Sequence, residues 1–322
     1  MKVFIQIPCL NEEATLPLVF ETMPTSIPGV DSIEYLVIDD GSSDRTVEVA
    51  KELGVTHFVQ HARNMGLARS FRDGVHYALM NGADIVVNTD GDNQYPQNRI
   101  GDLVQPILRG EADIVIGDRQ THKIKHFSWF KKLLQRLGSN VVNLAADTNL
   151  PDAASGFRAY SRDSLIHLNI VTQFSYCMET IIQAGNKRMR IASVAVDTNP
   201  KTRESRLFSS NWQHVLRSAQ AIMRSYLMFK PFVVLATVGT ILAILGLIPF
   251  VRYAILLVGG DSGNHLQSLI LGLLLIVGAI MSFALGVIAD LLRINRILLE
   301  DSLERTKELQ YGGLYDGRAV GQ

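Results

Sequence analysis

The stretch Asp84-Ile85-Val86-Val87-Asn88-Thr89-Asp90-Gly91-Asp92-Asn93-Gln94-Tyr95-Pro96 decides how the chain is read. Residues 84–89 are a short, mainly apolar run and residues 90–96 a polar turn, the pattern of a buried strand ending in a loop. Two carboxylates flank Gly91, whose missing Cβ lets the backbone approach a ligand closely. Carboxylates at i and i+2 can converge on one hard cation, which in turn neutralises a diphosphate. Gln94 offers a third oxygen. An isolated Asp-x-Asp triplet is usually a plain turn. A second acidic pair, Asp39-Asp40, at the end of another strand-like run gives this one its weight.

Outward from that turn, β-rich runs at 3–7, 34–38, 57–60, 84–89, 113–117 and 191–196 alternate with helix-like segments near 12–23, 44–53, 66–81, 98–109, 128–147 and 175–185. Such alternation predicts an α/β domain with a mostly parallel, Rossmann-like sheet and helices on both faces. Ligands in these sheets gather outside the carboxyl ends of the strands. The polar clusters stand there: PCLNEE (8–13), DDGSSDRT (39–46) and DGDNQYP (90–96). Two nucleotide-binding classes do not fit. A dinucleotide fold needs G-x-G-x-x-G after the first strand, where Pro8-Cys9-Leu10-Asn11-Glu12 stands, and no G-x-x-x-x-G-K-[ST] loop occurs.

The chain has 322 residues, with 31 Lys+Arg against 31 Asp+Glu, so no net field draws in nucleic acid and no such partner is expected. Cys9 and Cys177 form neither a disulfide framework nor a metal cluster, and they suit a reducing cytoplasm. Charge is strongly segregated: residues 231–292 hold only Arg252, Asp261 and Asp290. The uncharged runs Pro231–Phe250 and Leu266–Ala289 are each long enough to cross a hydrocarbon core of about 30 Å as a helix. They predict a two-helix transmembrane hairpin, turning at GGDSGNH (259–265).

Arg217, Arg224 and Lys230 precede the hairpin and Arg293, Arg296, Arg305 and Lys307 follow it, while its turn carries no Lys or Arg. Both ends are therefore expected in the cytoplasm. Met1 leads directly into a strand-like run, so no signal peptide is expected and the N-terminal portion stays cytoplasmic. Trp212, Val215, Leu216, Ala219, Ile222, Met223 and Tyr226 recur with helical period. They predict an amphipathic helix over 211–229, lying on the headgroup layer or packed on the soluble core. Small residues in the spans permit a homo-oligomer.

Six ordered motifs, PCLNEE, DDGSSDRT, RNMGLARSFRDG (63–74), NTDGDNQYP (88–96), GDR (117–119) and SGFRAYSRD (155–163), resemble family 2 glycosyltransferases of the GT-A fold. More narrowly, they are similar to polyprenyl-phosphate glycosyltransferases such as dolichyl-phosphate mannose synthases. The likeness covers residues 1–210, and it implies a GT-A catalytic domain there. An amphipathic juxtamembrane helix (211–230), two transmembrane helices (231–292) and a cytoplasmic tail (293–322) follow; residues from Leu303, rich in Gly and charge, are expected to be partly disordered.

The resemblance implies transfer of one hexose-type sugar, with inversion, from a nucleotide sugar to an undecaprenyl or dolichyl phosphate at the cytoplasmic leaflet of the plasma (inner) membrane. Pocket carboxylates serve uridine and guanosine alike, so the donor is UDP- or GDP-linked. Carried over by position, Pro8, Asn11 and Glu12 line the nucleoside pocket and Asp39 and Asp40 contact base and ribose. Asp90, Asp92 and Gln94 hold Mg²⁺ or Mn²⁺ and the diphosphate. Arg119 faces the phosphates. Ser155 and Arg158 border the acceptor, although Arg158 and Arg162 suit ordinary salt bridging equally well. The family's lipid-phosphate segment corresponds to KTRESR (201–206), where Arg203, Ser205 and Arg206 stand with arginine for lysine, no glycine and a shorter spacing. Arginine's planar fork suits phosphate at least as well; an exposed basic loop attracted to anionic lipid is the other reading.

A lipid monophosphate arrives ionised, so no general base is required. Asp92 and Glu179 remain candidates for orienting groups, Glu179 on an expected helix where it can equally be structural. The basic stretch THKIKHF (121–127) is expected to touch the membrane or line the acceptor entrance. Two rivals share the fold. A processive polysaccharide synthase would carry Q-x-x-R-W and further spans, and the chain has no Arg-Trp dipeptide. A nucleotide-sugar-binding subunit without turnover would have lost the acidic pair, which is present.

Overall fold

A computed structural model describes residues 1–120, 139–140, 142–143, 146–170, 176–199, 227, 230–259, 263 and 265–319. Arg203, Ser205 and Arg206, the basic stretch at 121–127 and the amphipathic helix expected over 211–229 (save Leu227) lie outside the described residues, as does most of the helix expected near 128–147.

The apolar runs form the expected sheet. Its strands are β1 (Lys2–Cys9), β2 (Ser32–Asp39), β3 (His57–Gln60), β4 (Ile85–Asn88), β5 (Ile114–Asp118), β6 (Arg158–Ser161) and β7 (Ile191–Ala195). The order is β3-β2-β1-β4-β6-β5-β7. β1 pairs in parallel with both β2 and β4, β2 with β3, and β5 with β7. β4 is buried along its whole length, the continuous apolar run of a strand covered on both faces. The chain order runs outward from β1 in both directions, to β2 on one side and β4 on the other. That is a topological switch point, and the crevice beyond the carboxyl ends of β1 and β4 is where such sheets bind ligands.

The helices are α1 (Leu16–Glu21), α2 (Thr46–Glu52), α3 (Leu67–Met80), α4 (Ile100–Leu108), α5 (Arg162–His167), α6 (Tyr176–Asn186), α7 (Pro231–Val258) and α8 (Leu266–Ala319). α3 is amphipathic: Phe71, Val75, Ala78 and Leu79 fall on its buried stripe. One strand has no counterpart among the six expected. β6 runs antiparallel between β4 and β5, in the segment expected as a loop at the acceptor side. Its four residues, Arg-Ala-Tyr-Ser, neither alternate nor form an apolar run, and they pass straight into α5. Tertiary burial overrides that weak local pattern, since three of the four are fully buried.

The chain forms two compact units, residues 1–222 with 303–322, and residues 223–302. The tail expected from 293 is therefore divided, and where partial disorder is expected from Leu303, residues 303–319 continue α8. Within the first unit Glu304 pairs with Lys187, and Lys307 Nζ donates to the carbonyls of Leu168 at 2.6 Å and Ile166 at 3.3 Å. Tyr311 is buried, its hydroxyl 2.7 Å from His76 Nδ1 and its carbonyl accepting from Arg162 Nη2 at 2.7 Å. These contacts give a charged, glycine-containing segment enough buried partners to hold a helix.

In the second unit, α7 has 28 residues, and α7 and α8 are both long and apolar enough to cross a membrane. Their apolar side chains point outward, Ile244 and Leu274 among them, as lipid-facing helices require. The two pack as a hairpin through small residues: a Cβ built on Gly246 would lie 3.0 Å from the carbonyl of Gly272, and one on Gly272 2.9 Å from that of Gly246. Ser282 Oγ donates to the Leu235 carbonyl at 2.7 Å, closing the same interface.

Candidate active site

The end of β4 delivers Asp90-Gly91-Asp92 into the switch-point crevice. A Cβ on Gly91 would meet Cys9 Sγ at 3.0 Å, Glu12 Cγ at 3.3 Å and the Pro8 carbonyl at 3.5 Å. Glycine is thus what allows the acidic turn to lie against the PCLNEE segment. Burial pushes the Asp90 carboxyl up to about 7, and the neighbouring Asp92 and Glu12 charges push the same way, against the lowering field of Arg119. Burial also raises the Cys9 thiol, helped by Glu12, Asp39, Asp90 and Asp44, so four carboxylates surround that buried sulfur.

Gln94 donates Nε2 to Asp92 Oδ2 at 2.6 Å and its main-chain N–H to Oδ1 at 3.1 Å. It therefore orients Asp92 through its amide nitrogen, and the amide oxygen expected as a third metal ligand is not used in that contact. The turn is held from outside by Asn199, whose Nδ2 donates to the carbonyls of Asn93 and Tyr95, both at 3.1 Å. Beneath it Asn88 Nδ2 donates to the Gly156 carbonyl at 3.0 Å and to Tyr176 Oη at 2.8 Å. Tyr95 Oη accepts the Gly156 N–H at 3.0 Å.

On the β1–β2 side of the crevice, the strand end of β1 brings Pro8, Asn11 and Glu12 beside the β2 end. Asn11, at φ 55°, accepts from Ser43 N at 2.7 Å, while its own N–H donates to Ser42 Oγ at 2.9 Å. Glu12 Oε2 accepts from Thr15 Oγ1 at 2.6 Å. Asp39 accepts the Ser42 N–H on Oδ1 at 3.1 Å, and among the described residues its Oδ2 has no hydrogen-bond partner. Asp40 is different. Its carboxylate takes Met65 N at 2.8 Å, Gly66 N at 2.9 Å and His61 Nδ1 at 2.7 Å. The expectation that Asp40 contacts base or ribose is corrected: it clamps the RNMG loop to the strand end.

At the other end of the crevice, Arg119 leaves β5 and makes a two-pronged pair with Asp152, Nε to Oδ2 at 2.7 Å and Nη2 to Oδ1 at 2.9 Å. Arg158 is fully buried. Its guanidinium donates to the carbonyls of Ser155 at 2.6 Å, Cys177 at 2.8 Å and Ala153 at 2.9 Å, and to Thr180 Oγ1 at 2.9 Å. Fully buried on neutral oxygens, and with no carboxylate partner among the described residues, it neither borders an open acceptor side nor forms a salt bridge, which corrects both expectations. Ser155 is likewise buried, its hydroxyl accepting the Phe157 N–H at 3.4 Å. Glu179 lies buried in α6. The structure brings together Pro8, Glu12, Asp39, Asp90, Asp92 and Arg119; it sets Asp40, Ser155 and Arg158 behind them.

The model of the family described as glycosyl transferase family 2 matches residues 4–168, half of the chain. The chain belongs to glycosyl transferase family 2. Polyprenol monophosphomannose synthase of Mycolicibacterium smegmatis is 26% identical over 187 residues, covering 55% of this chain and 69% of that protein. Undecaprenyl-phosphate mannosyltransferase of Micrococcus luteus is 29% identical over 206 residues, 61% of this chain and 83% of that one. Glucosyl-3-phosphoglycerate synthase from Mycobacterium tuberculosis, in a crystal structure with Mn²⁺, UDP-glucose and phosphoglyceric acid, superposes with a TM-score of 0.53 at 22% identity, over 70% of this chain and 78% of that one. The family 2 domain thus has the GT-A fold.

Among the described residues of this family 2 chain, no three His, Cys, Asp or Glu side chains gather within ligating reach. The residues nevertheless fit a divalent cation. Asp90 and Asp92 put two like charges in one half-buried turn, and a cation there would relieve the repulsion that adds to burial in raising Asp90. Two carboxylates leave the remaining coordination positions to diphosphate oxygens and water. Asp152, Asp44 and Asn199 went unnoticed in the sequence. Asp152 has one local signal, its place three residues before the SGFR motif; nothing local marks that it pairs with Arg119.

Proposed function

We propose that this family 2 transferase moves a single hexose-type sugar, with inversion, from a UDP- or GDP-linked donor to a polyprenyl phosphate at the cytoplasmic face of the plasma (inner) membrane. The observation that carries the reading is the half-buried Asp90–Asp92 pair beside Arg119 at the switch point. Two relatives named for polyprenyl-phosphate chemistry support the acceptor, and the two apolar helices support a lipid substrate.

In this reading Asp90 and Asp92 hold Mg²⁺ or Mn²⁺, which supplies neutralisation of the donor diphosphate. Asp39 Oδ2 and the 8–12 segment take the nucleoside. The acceptor phosphate is already ionised, so the chain has only to align it with the anomeric carbon and balance charge on the leaving group. Arg119 is placed for the second task. Arg203, Ser205 and Arg206 are assigned to the acceptor phosphate by their match to the family's segment. The Lys and Arg residues flanking the hairpin support a cytoplasmic side for both of its ends.

The test is transfer to a short-chain polyprenyl phosphate by purified full-length protein with Mg²⁺ or Mn²⁺ and a panel of labelled UDP- and GDP-sugars, with Asp92→Ala alongside. Lipid-linked monosaccharide from one donor, lost in the variant, is expected. Tight donor binding without lipid product across several acceptors would sink the assignment.

A further inference from the structure

We propose that Asp152 is a positioning residue for transfer: it fixes the plane of the Arg119 guanidinium so that Nη1 is presented to the distal phosphate of the nucleoside diphosphate. The inference rests on the family 2 transferase reading and extends it to a residue outside the crevice. Asp152 is 1% exposed, whereas the Arg119 side chain is 20% exposed, so the carboxylate is the hidden partner and the arginine the presented one. The pair uses Nε and Nη2. Among the described residues Nη1 has no hydrogen-bond partner. Fork-to-fork pairing fixes orientation as well as charge, which a single-point contact would not. The guanidinium lies close enough to the acidic turn for its field to act on Asp90 and Tyr95.

Asp152 is itself held. The next residue, Ala153, gives its carbonyl to Arg158 Nη2 and its N–H to Ser139 Oγ at 3.4 Å. A chain of contacts therefore runs from buried Arg158, through the turn at 153–155, to Asp152 and out to Arg119. It also accounts for a fully buried arginine in a motif expected to meet substrate.

The experiment compares affinities of UDP, GDP and the matching monophosphates, with Mn²⁺, for the detergent-solubilised full chain, taking the tighter-binding base. For Asp152→Asn, diphosphate affinity is expected to fall about tenfold to a hundredfold, the loss of one charge-assisted hydrogen bond, with monophosphate affinity within about twofold. The transfer rate at saturating donor should fall with it, and in an Arg119→Gln background Asp152→Asn should add nothing. Should the asparagine variant not fold, Asp152→Glu keeps the charge while displacing the fork, and the same split between diphosphate and monophosphate is expected. Equal losses for both nucleotides would overturn the proposal, as would an undiminished effect in the Arg119→Gln background. A wild-type chain that transfers nothing to polyprenyl phosphate would defeat the acceptor reading alone, because the nucleotide comparison needs no acceptor.

Discussion

Asp90 shows how a buried acidic pair costs stability. Its carboxyl is raised to about 7 from an ordinary value near 4. Between those values the folded chain holds a proton that the unfolded chain releases, so without metal this group's contribution is full below about pH 4 and declines as pH rises towards 7. Asp92→Asn removes the like charge. The metal-free variant should be more stable than wild type at pH 8, by about 0.5–2 kcal/mol, while transfer is lost. Melting curves against pH, with and without Mn²⁺, check this, and identical apo curves would argue against repulsion in the turn. Mn²⁺ affinity of the wild type should rise with pH through about 7, because the cation displaces that proton. Arg158→Met should cost about 3–5 kcal/mol in denaturant unfolding, since it strands three buried carbonyls. The places of Asp90, Asp92 and Arg119 are legible because each follows a strand that is itself legible. The sequence points Asp40 and Arg158 at substrate because a residue's type and motif do not say which way it faces; only the folded chain shows three donors converging on Asp40.

Among the elements, the six parallel-type strands and the two apolar helices could be read from local pattern. β6 could not, because its burial comes from β4 and β5, which lie 70 and 40 or so residues upstream. Nor could the packed helix at 303–311, whose partners Lys187, Leu168 and His76 are more than 100 residues away in sequence. Tyr311→Ala should remove a buried ring and the His76 contact together, for about 3–5 kcal/mol in the catalytic unit. Tyr311→Phe should cost about 1 kcal/mol. Hydrogen exchange at α3 and α5 reads both, and unchanged protection in the alanine variant would mean the helix end contributes nothing. Gly246→Leu should force α7 and α8 apart, and the measurement is loss of crosslinking between cysteines placed on their facing sides.

For the molecule as a whole, the zero net formal charge offers no general attraction to anionic lipid, so membrane attachment should rest on burial of the two apolar helices. The full chain should stay with vesicles through high salt and alkaline washing and leave only with detergent; release by salt would assign attachment to the basic segments instead. The catalytic unit is discontinuous along the chain, because residues 223–302 interrupt it. The ribosome therefore releases the hairpin before it releases Glu304, Lys307 and Tyr311. Domains otherwise begin to fold as they emerge, but this one waits for a piece made after both apolar helices. A finished catalytic unit is therefore one whose two apolar helices have already been synthesised.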